Sequence, residues 1–212
     1  MARRESKPLQ PTREARRSQL ARLFVDEVEP LLEAGESYAD ISVERLIKAV
    51  DISRSTFYVY FDDKGDLLRA MVEDVTRDLV EAGTSWFELP PDADKRGLAA
   101  GLKPLFDAYH RHQKLLGAIT ETAAYDPRIR EQHQALVDRA VSELTRHIRA
   151  QQRLGTAAPE LDPVRTAKWL VWMLERGLYQ LVAPAKPAEV KRLLKTMTDL
   201  VWRALYDGHR AS

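Results

Sequence analysis

Arg54, Ser55, Thr56, Tyr58 and Tyr60 fall within seven consecutive residues, interleaved with Phe57 and Val59 and closed by Phe61. Such a set offers hydrogen bonds rather than covalent chemistry. Arg54 brings a planar guanidinium, Ser55 and Thr56 short hydroxyls and a methyl, and the tyrosines two phenols. The residue types associated with catalysis are badly spaced for it. His110 and His112 are two apart and do not share a helix face, and His133 and His147 are about four helical turns apart. There is no glycine-rich phosphate loop and no nucleophile elbow. The absence of cysteine removes disulfides, thiol catalysis and cysteine-ligated metals. No catalytic residue, metal site or cofactor is expected, and the chain reads as something other than an enzyme.

The elements that must position this polar set are short helices. Ser42 precedes Val43, Leu46, Ile47 and Val50, an apolar stripe on a helix of about two turns with Ser42 as N-cap. Glu44, Arg45 and Lys48 lie off the stripe. Asp51-Ile52-Ser53 breaks the helix, Asp being tolerant of the left-handed conformation, and Ile52 plugs the turn. Ser53 caps a second helix whose Phe57 and Phe61, four apart, pack inward. Arg54, Ser55, Thr56, Tyr58 and Tyr60 are left facing out, and they suit a DNA major groove. Arg54 can grip a guanine edge, the Thr56 methyl can meet a thymine methyl, and the tyrosine hydroxyls can donate to phosphates. Ser42, Arg45 and Ser53 border the same face. Lys64, at the start of the next helix, is placed for a phosphate.

Asp40-Ile41-Ser42-Val43, the run Ile52 to Phe61 and Lys64 resemble the signature of the tetracycline-repressor (TetR) family of bacterial transcription regulators. The resemblance implies a sequence-specific DNA-binding regulator, a repressor released from a palindromic operator by a small apolar effector. One departure is Asp51, where the family usually has Gly. An effector-independent architectural DNA-binding protein and a helical enzyme remain the alternative readings.

Composition agrees with a folded protein whose basic character is local. Hydrophobic residues make up 44% of 212, and the net charge is only +1. Arg3, Arg4, Lys7, Arg13, Arg16, Arg17 and Arg22 stand against Glu5 and Glu14 in the first 22 residues. This basic segment can lie along phosphates or serve as a solvated tail; Arg13, Arg16 and Arg17, at the start of the first helix, are expected near DNA. No apolar run reaches the length of a bilayer span and no signal-peptide core is present, so a cytoplasmic protein with no membrane partner is expected.

Helical periodicity dominates the chain, and an all-α fold is expected. Residues 1–11 read as a flexible basic arm, 12–63 as the helix-turn-helix domain and 64–212 as a ligand-binding and dimerisation domain. The first helix spans about 12–34 with Leu20, Leu23, Phe24, Val28, Leu31 and Leu32 as its core face and a kink-prone Pro30. After the two short helices, further helices cover about 64–84, 95–111, 114–124, 127–153, 163–182 and 187–206. Asp126-Pro127 and Asp162-Pro163 act as start signals. Nine helices in this order match the architecture that the family resemblance implies.

The last two helices are apolar on more than one side, which calls for two neighbours. Trp169, Leu170, Leu181, Leu193, Leu194, Leu200 and Val201 are expected in a homodimer interface; the resemblance adds that the family dimerises through these helices. Two recognition helices about 34 Å apart then read a palindrome. Aromatic mass in the larger domain points to a cavity lined by Trp86, Phe106, Tyr109, Tyr125, Trp172, Met173, Tyr179 and Trp202, with His110, Glu175 and Arg176 as polar groups. The stretch from Trp169 to Tyr179 resembles the matching helix of the ethionamide-resistance-regulator branch, which binds elongated apolar ligands. The Glu-Arg pair matches, but Leu174 and Val171 stand where that branch has asparagines, which argues for a more apolar or differently anchored molecule.

Overall fold

The computed structural model describes residues 12–206, so the arm at 1–11 lies outside the described residues. Nine α-helices and no strand are found among the described residues. The chain divides into two compact units inside the fourth helix, between Asp74 and Val75 rather than at the start of that helix.

The first unit holds α1 (Arg13–Glu33), α2 (Val43–Ala49), α3 (Arg54–Tyr60) and the beginning of α4 (Lys64–Phe87). Side-chain oxygens open the first three: Thr12, Ser42 and Ser53 accept from the amides of Ala15, Arg45 and Thr56, as the sequence led one to expect for the two serines. The core is aromatic. Phe24 meets Phe57 edge-on at 6.1 Å and Phe61 at 5.8 Å. Leu20, Leu46, Leu67 and Met71 close around them, all buried. The α1 core face differs from the expected one at Leu23, which is 49% exposed. At 100° per residue Leu23 falls about 100° from Phe24 and about 140° from Val28, off the buried face, and Ala21 and Val25 are buried in its stead. The helix continues past Pro30 to Glu33.

Three helices end in the same hydrogen-bond pattern, with one left-handed residue after the cap. Glu36 N–H reaches Leu31 O past Gly35 (φ 93°), Thr156 N–H reaches Gln151 O past Gly155 (φ 71°), and Ile52 N–H reaches Ile47 O past Asp51 (φ 52°). This is a Schellman closure, which glycine normally completes because it lacks a Cβ. In the turn between α2 and α3 an aspartate holds that position, at a conformational cost of about 1 kcal/mol.

The second unit comprises the rest of α4, α5 (Lys95–Arg111), α6 (Gln113–Ala123), α7 (Pro127–Arg153), α8 (Pro163–Gly177) and α9 (Pro187–Leu205). Asp94, Asp126 and Asp162 cap α5, α7 and α8. Prolines occupy the first turns of α7, α8 and α9, where no amide is lost. The helix expected to run unbroken to Val182 leaves α geometry at Gly177 and finishes in one wider π turn, Leu178–Val182. α7 lies along α8, and α5 along α9. α5 also sits close on the end of α4: a Cβ on Gly101 would come within 2.9 Å of the Ser85 carbonyl oxygen. No described helix is long and apolar enough to cross a membrane.

Candidate nucleic-acid interface and ligand cavity

α3 presents its polar residues outward because Phe57 and Phe61 anchor the opposite side. Arg54, Ser55 and Tyr58 are exposed, Thr56 and Tyr60 half-buried. Ser53 is occupied locally: its hydroxyl lies 2.8 Å from that of Ser55 and 2.7 Å from that of Thr56, besides capping the helix. Arg54 donates to Glu44 at 2.6 Å and lies 5.8 Å over the Tyr58 ring. Arg45 is paired with Glu36 at 2.6 Å, and Ser42 is occupied as the α2 cap. Both arginine pairs are solvent-exposed, so they orient the guanidiniums at little energetic cost to a competing phosphate or base.

The cations expected beside them serve the fold. Lys64 Nζ donates to the carbonyls of Tyr38 (3.0 Å), Ala39 (2.6 Å) and Ile41 (3.0 Å). An ammonium has three donors, and these carbonyls take all of them, tying the α1–α2 loop to the start of α4. Burial lowers the Lys64 pKa, partly offset by Asp40. Tyr38 completes the joint from the other side, its buried hydroxyl donating to the Lys64 carbonyl at 2.8 Å. Lys64 is therefore placed as a structural strut, not as a free phosphate contact. Arg13 and Arg17 likewise donate to the carbonyls of Val59 (2.7 Å) and Tyr60 (3.2 Å), at the C-terminal end of α3. Arg17 also pairs with Asp66 at 2.8 Å. Burial pushes the Asp66 carboxyl up, but the Asp62 amide and the guanidiniums of Arg17 and Arg69 outweigh it and hold the group below the usual carboxylate range.

The second unit holds a partly open cavity of about 590 Å³. Its walls come from the last turns of α4 (Leu79, Val80, Phe87), from α5 (Leu105, Tyr109), from α8 (Val171, Leu174, Glu175) and from one full face of α7. The α7 face runs from His133 through Leu136, Val137, Ala140 and His147 to Ala150 and Leu154, about 30 Å at 1.5 Å per residue. Polar residues interrupt the lining, among them Glu88, Arg139, Glu143, Arg146 and Gln151. His133 Nε2 is 3.3 Å from a Glu175 carboxylate oxygen, and the Thr84 hydroxyl donates to Val80 O at 3.1 Å. Burial, and next the charge of Glu175, push the Tyr109 phenol above its usual pKa.

Comparison with known proteins finds a family match in each unit. Residues 34–71 match the profile of bacterial regulatory proteins of the tetR family. Residues 98–207 match that of the C-terminal domain of the transcriptional regulator EthR. The chain belongs to the TetR family of transcription regulators, in its EthR-like group. The HTH-type transcriptional regulator EthR of Mycolicibacterium smegmatis is 25% identical over 172 residues, 81% of this chain and 79% of the relative. The EthR of Mycobacterium tuberculosis is 28% identical over 174 residues, 81% of each chain. Among solved structures, a TetR-family regulator from Mesorhizobium loti has a TM-score of 0.68 at 18% identity, covering 92% of this chain and 100% of its own. A regulator from Saccharomonospora viridis, solved in complex with choline, has a TM-score of 0.67 at 16% identity, covering 90% and 99%. A protein of this family is a transcription regulator and not an enzyme.

Within this TetR fold the expected cavity residues separate. Trp86, Tyr109 and Glu175 line the cavity. Phe106 is buried outside its lining, and His110 and Tyr179 are half-buried away from it. Tyr125 is 87% exposed, and the Trp202 ring packs at a tilt against Tyr206, centroids 5.4 Å apart. Trp172, Met173 and Arg176 point out of the unit. The reason is the phase of α8: Val171, Leu174, Glu175 and Leu178 share the inner face, which leaves Trp169, Trp172, Met173 and Arg176 on the outer one. The residues missing from the sequence reading are those of α7. Their signal was present as His133, Leu136, Val137, Ala140, His147 and Gln151, a stripe at helical spacing. The expected dimer residues divide too. Trp169, Leu181 and Leu200 are exposed, Leu193 and Leu194 half-buried, while Leu170 and Val201 are buried inside the unit.

Proposed function

We propose that this protein is a homodimeric repressor that reads a two-fold symmetric operator with α3 and leaves it when an elongated, largely apolar molecule fills the cavity of the second unit. The observation that carries this reading is the cavity itself: it follows α7 for some 30 Å, with Leu136, Val137, Ala140, Ala150 and Leu154 as its apolar wall among polar residues, and it is walled at one side by the end of α4, the helix that begins at the helix-turn-helix. Leu174 and Val171, both in the wall, leave α8 without amide groups to anchor a polar ligand. A small molecule bound in the Saccharomonospora viridis neighbour is in keeping with a ligand in this fold.

Arg54, Ser55, Thr56, Tyr58 and Tyr60 are the residues proposed to meet DNA, with Arg45 and the α2 cap Ser42 at the border. Residues 12–63 form the reading part, and the remainder holds ligand and partner. The partner is a second copy. Trp169 (79% exposed), Leu181 and Leu200, joined by Trp172 and Met173, give α8, the π turn and α9 an outward apolar surface that a monomer would leave in water. The site of action is where the DNA is, in the cytoplasm.

Selection of bound duplexes from a random pool tests the DNA part. The expected product is a motif with two related half-sites about one helical turn apart or a multiple of it. A homologous series of linear alkanols, added to the selected duplex and protein, tests the ligand part. Thermal stabilisation of the protein and loss of bound DNA should rise together with chain length, and an alkanol that does neither at any length argues for an effector-independent protein. Sedimentation that finds a monomer at micromolar concentration would overturn the dimer.

A further inference from the structure

We propose that His147 is the positioning residue that transmits cavity occupancy to the end of α4. The inference rests on the ligand-released reading above and names the contact through which release is started.

His147 lies in the last two turns of α7, 5% exposed, and lines the cavity wall. Its Nδ1 is 2.8 Å from the carbonyl oxygen of Phe87, the last residue of α4. A helix cannot satisfy its final carbonyls from within, so the imidazole supplies the missing donor. Because a carbonyl only accepts, Nδ1 carries the proton. The other ring nitrogen, Nε2, is 2.7 Å from the hydroxyl of Tyr206, the buried residue that caps α9. In the neutral ring Nε2 accepts and the tyrosine donates. One side chain of α7 thus joins the C-terminal ends of α4 and α9.

Two features make this joint a sensor and not only a brace. His147 and Phe87 both line the cavity, so a molecule filling it presses on both partners of one hydrogen bond. The turn that the bond holds is the last of α4, closed by Glu88 N–H to Thr84 O (3.0 Å) and Leu89 N–H to Trp86 O (3.2 Å). α4 starts at Lys64, whose ammonium ties together the loop ahead of α2. A ligand that favours a displaced Phe87 therefore favours a displaced α4, and differential affinity for two states is all that release requires.

The test separates coupling from binding. His147→Gln loses the donor at the Nδ1 position, His147→Asn keeps an amide N–H close to it, and Tyr206→Phe removes one hydroxyl with little change of shape. Dodecanol is the probe and the selected duplex the DNA. At saturating dodecanol, so that any change in dodecanol affinity does not enter, the factor by which it weakens DNA binding should fall at least about fivefold in His147→Gln. His147→Asn should restore most of that factor, and Tyr206→Phe should give an intermediate value. Release by dodecanol that is unchanged in His147→Gln, or equally lost in His147→Asn, overturns the proposal. Hydrogen exchange of the Glu88 and Leu89 amides provides a ligand-free arm. Faster exchange in His147→Gln than in His147→Asn is expected, and equal exchange also overturns it. Failure of wild type to respond to dodecanol would count against the cavity reading, while the exchange arm still decides on the joint.

Discussion

The two units use polar side chains in opposite directions. In the first, an aromatic core of Phe24, Phe57 and Phe61 fills the inside, and hydrogen-bonding groups are turned out along α3. In the second, polar groups such as Tyr109, His133, His147 and Glu175 line a cavity together with aliphatic and aromatic residues, while Trp169, Leu181 and Leu200 face solvent. The first arrangement is that of a surface that must meet a charged polymer. The second is that of a container with a sticky outside. The comparison also shows that charge is a poor guide to contact: Lys64, Arg13 and Arg17, the cations that looked most available for phosphates, hold backbone carbonyls.

The contrast can be broken most severely at Phe57. Replacing it by Ala should cost about 3–5 kcal/mol of stability, because a buried ring packed against three others is lost. Urea denaturation should show the loss in the first unit, and DNA binding should vanish while dodecanol still protects the second unit. Next in size is Lys64→Ala. Three carbonyls lose a charged donor, so stability should fall by about 2–3 kcal/mol, and the salt dependence of DNA affinity should keep its slope. A slope reduced by about one would restore the phosphate role. Arg54→Ala should do the reverse. Operator affinity should drop by about 1–3 kcal/mol with relaxed specificity at one position, and thermal unfolding should move little, since the pair with Glu44 is exposed. The smallest effect is expected at Asp51→Gly. Relief of the left-handed φ of 52° should raise stability by about 0.5–1 kcal/mol in denaturant titration.

What was legible in the sequence follows the same division. Caps, turns and inward phenylalanines act over three or four residues, so Ser42, Ser53, Asp51, Phe57 and Phe61 could be placed from local spacing alone. Helix boundaries after Asp94, Asp126 and Asp162 could be placed for the same reason. The cavity is made by residues of α4, α5, α7 and α8 that are up to about one hundred positions apart, and no local pattern states which face of each helix meets the others. Size misled at α8, where Trp172 and Met173 drew attention and Val171, Leu174 and Leu178 line the space. The destinations of Lys64 and Arg17 were hidden for a related reason: a side chain that reaches a carbonyl 25 or 43 residues away leaves no trace in spacing.

The most direct test of the account is fluorescence anisotropy of a labelled, selected duplex bound to the full-length protein and titrated with dodecanol. The account predicts a saturable fall to the value of free DNA, and the reciprocal effect of weaker dodecanol binding when DNA is present. An anisotropy that stays at the bound value while dodecanol demonstrably occupies the protein would contradict it.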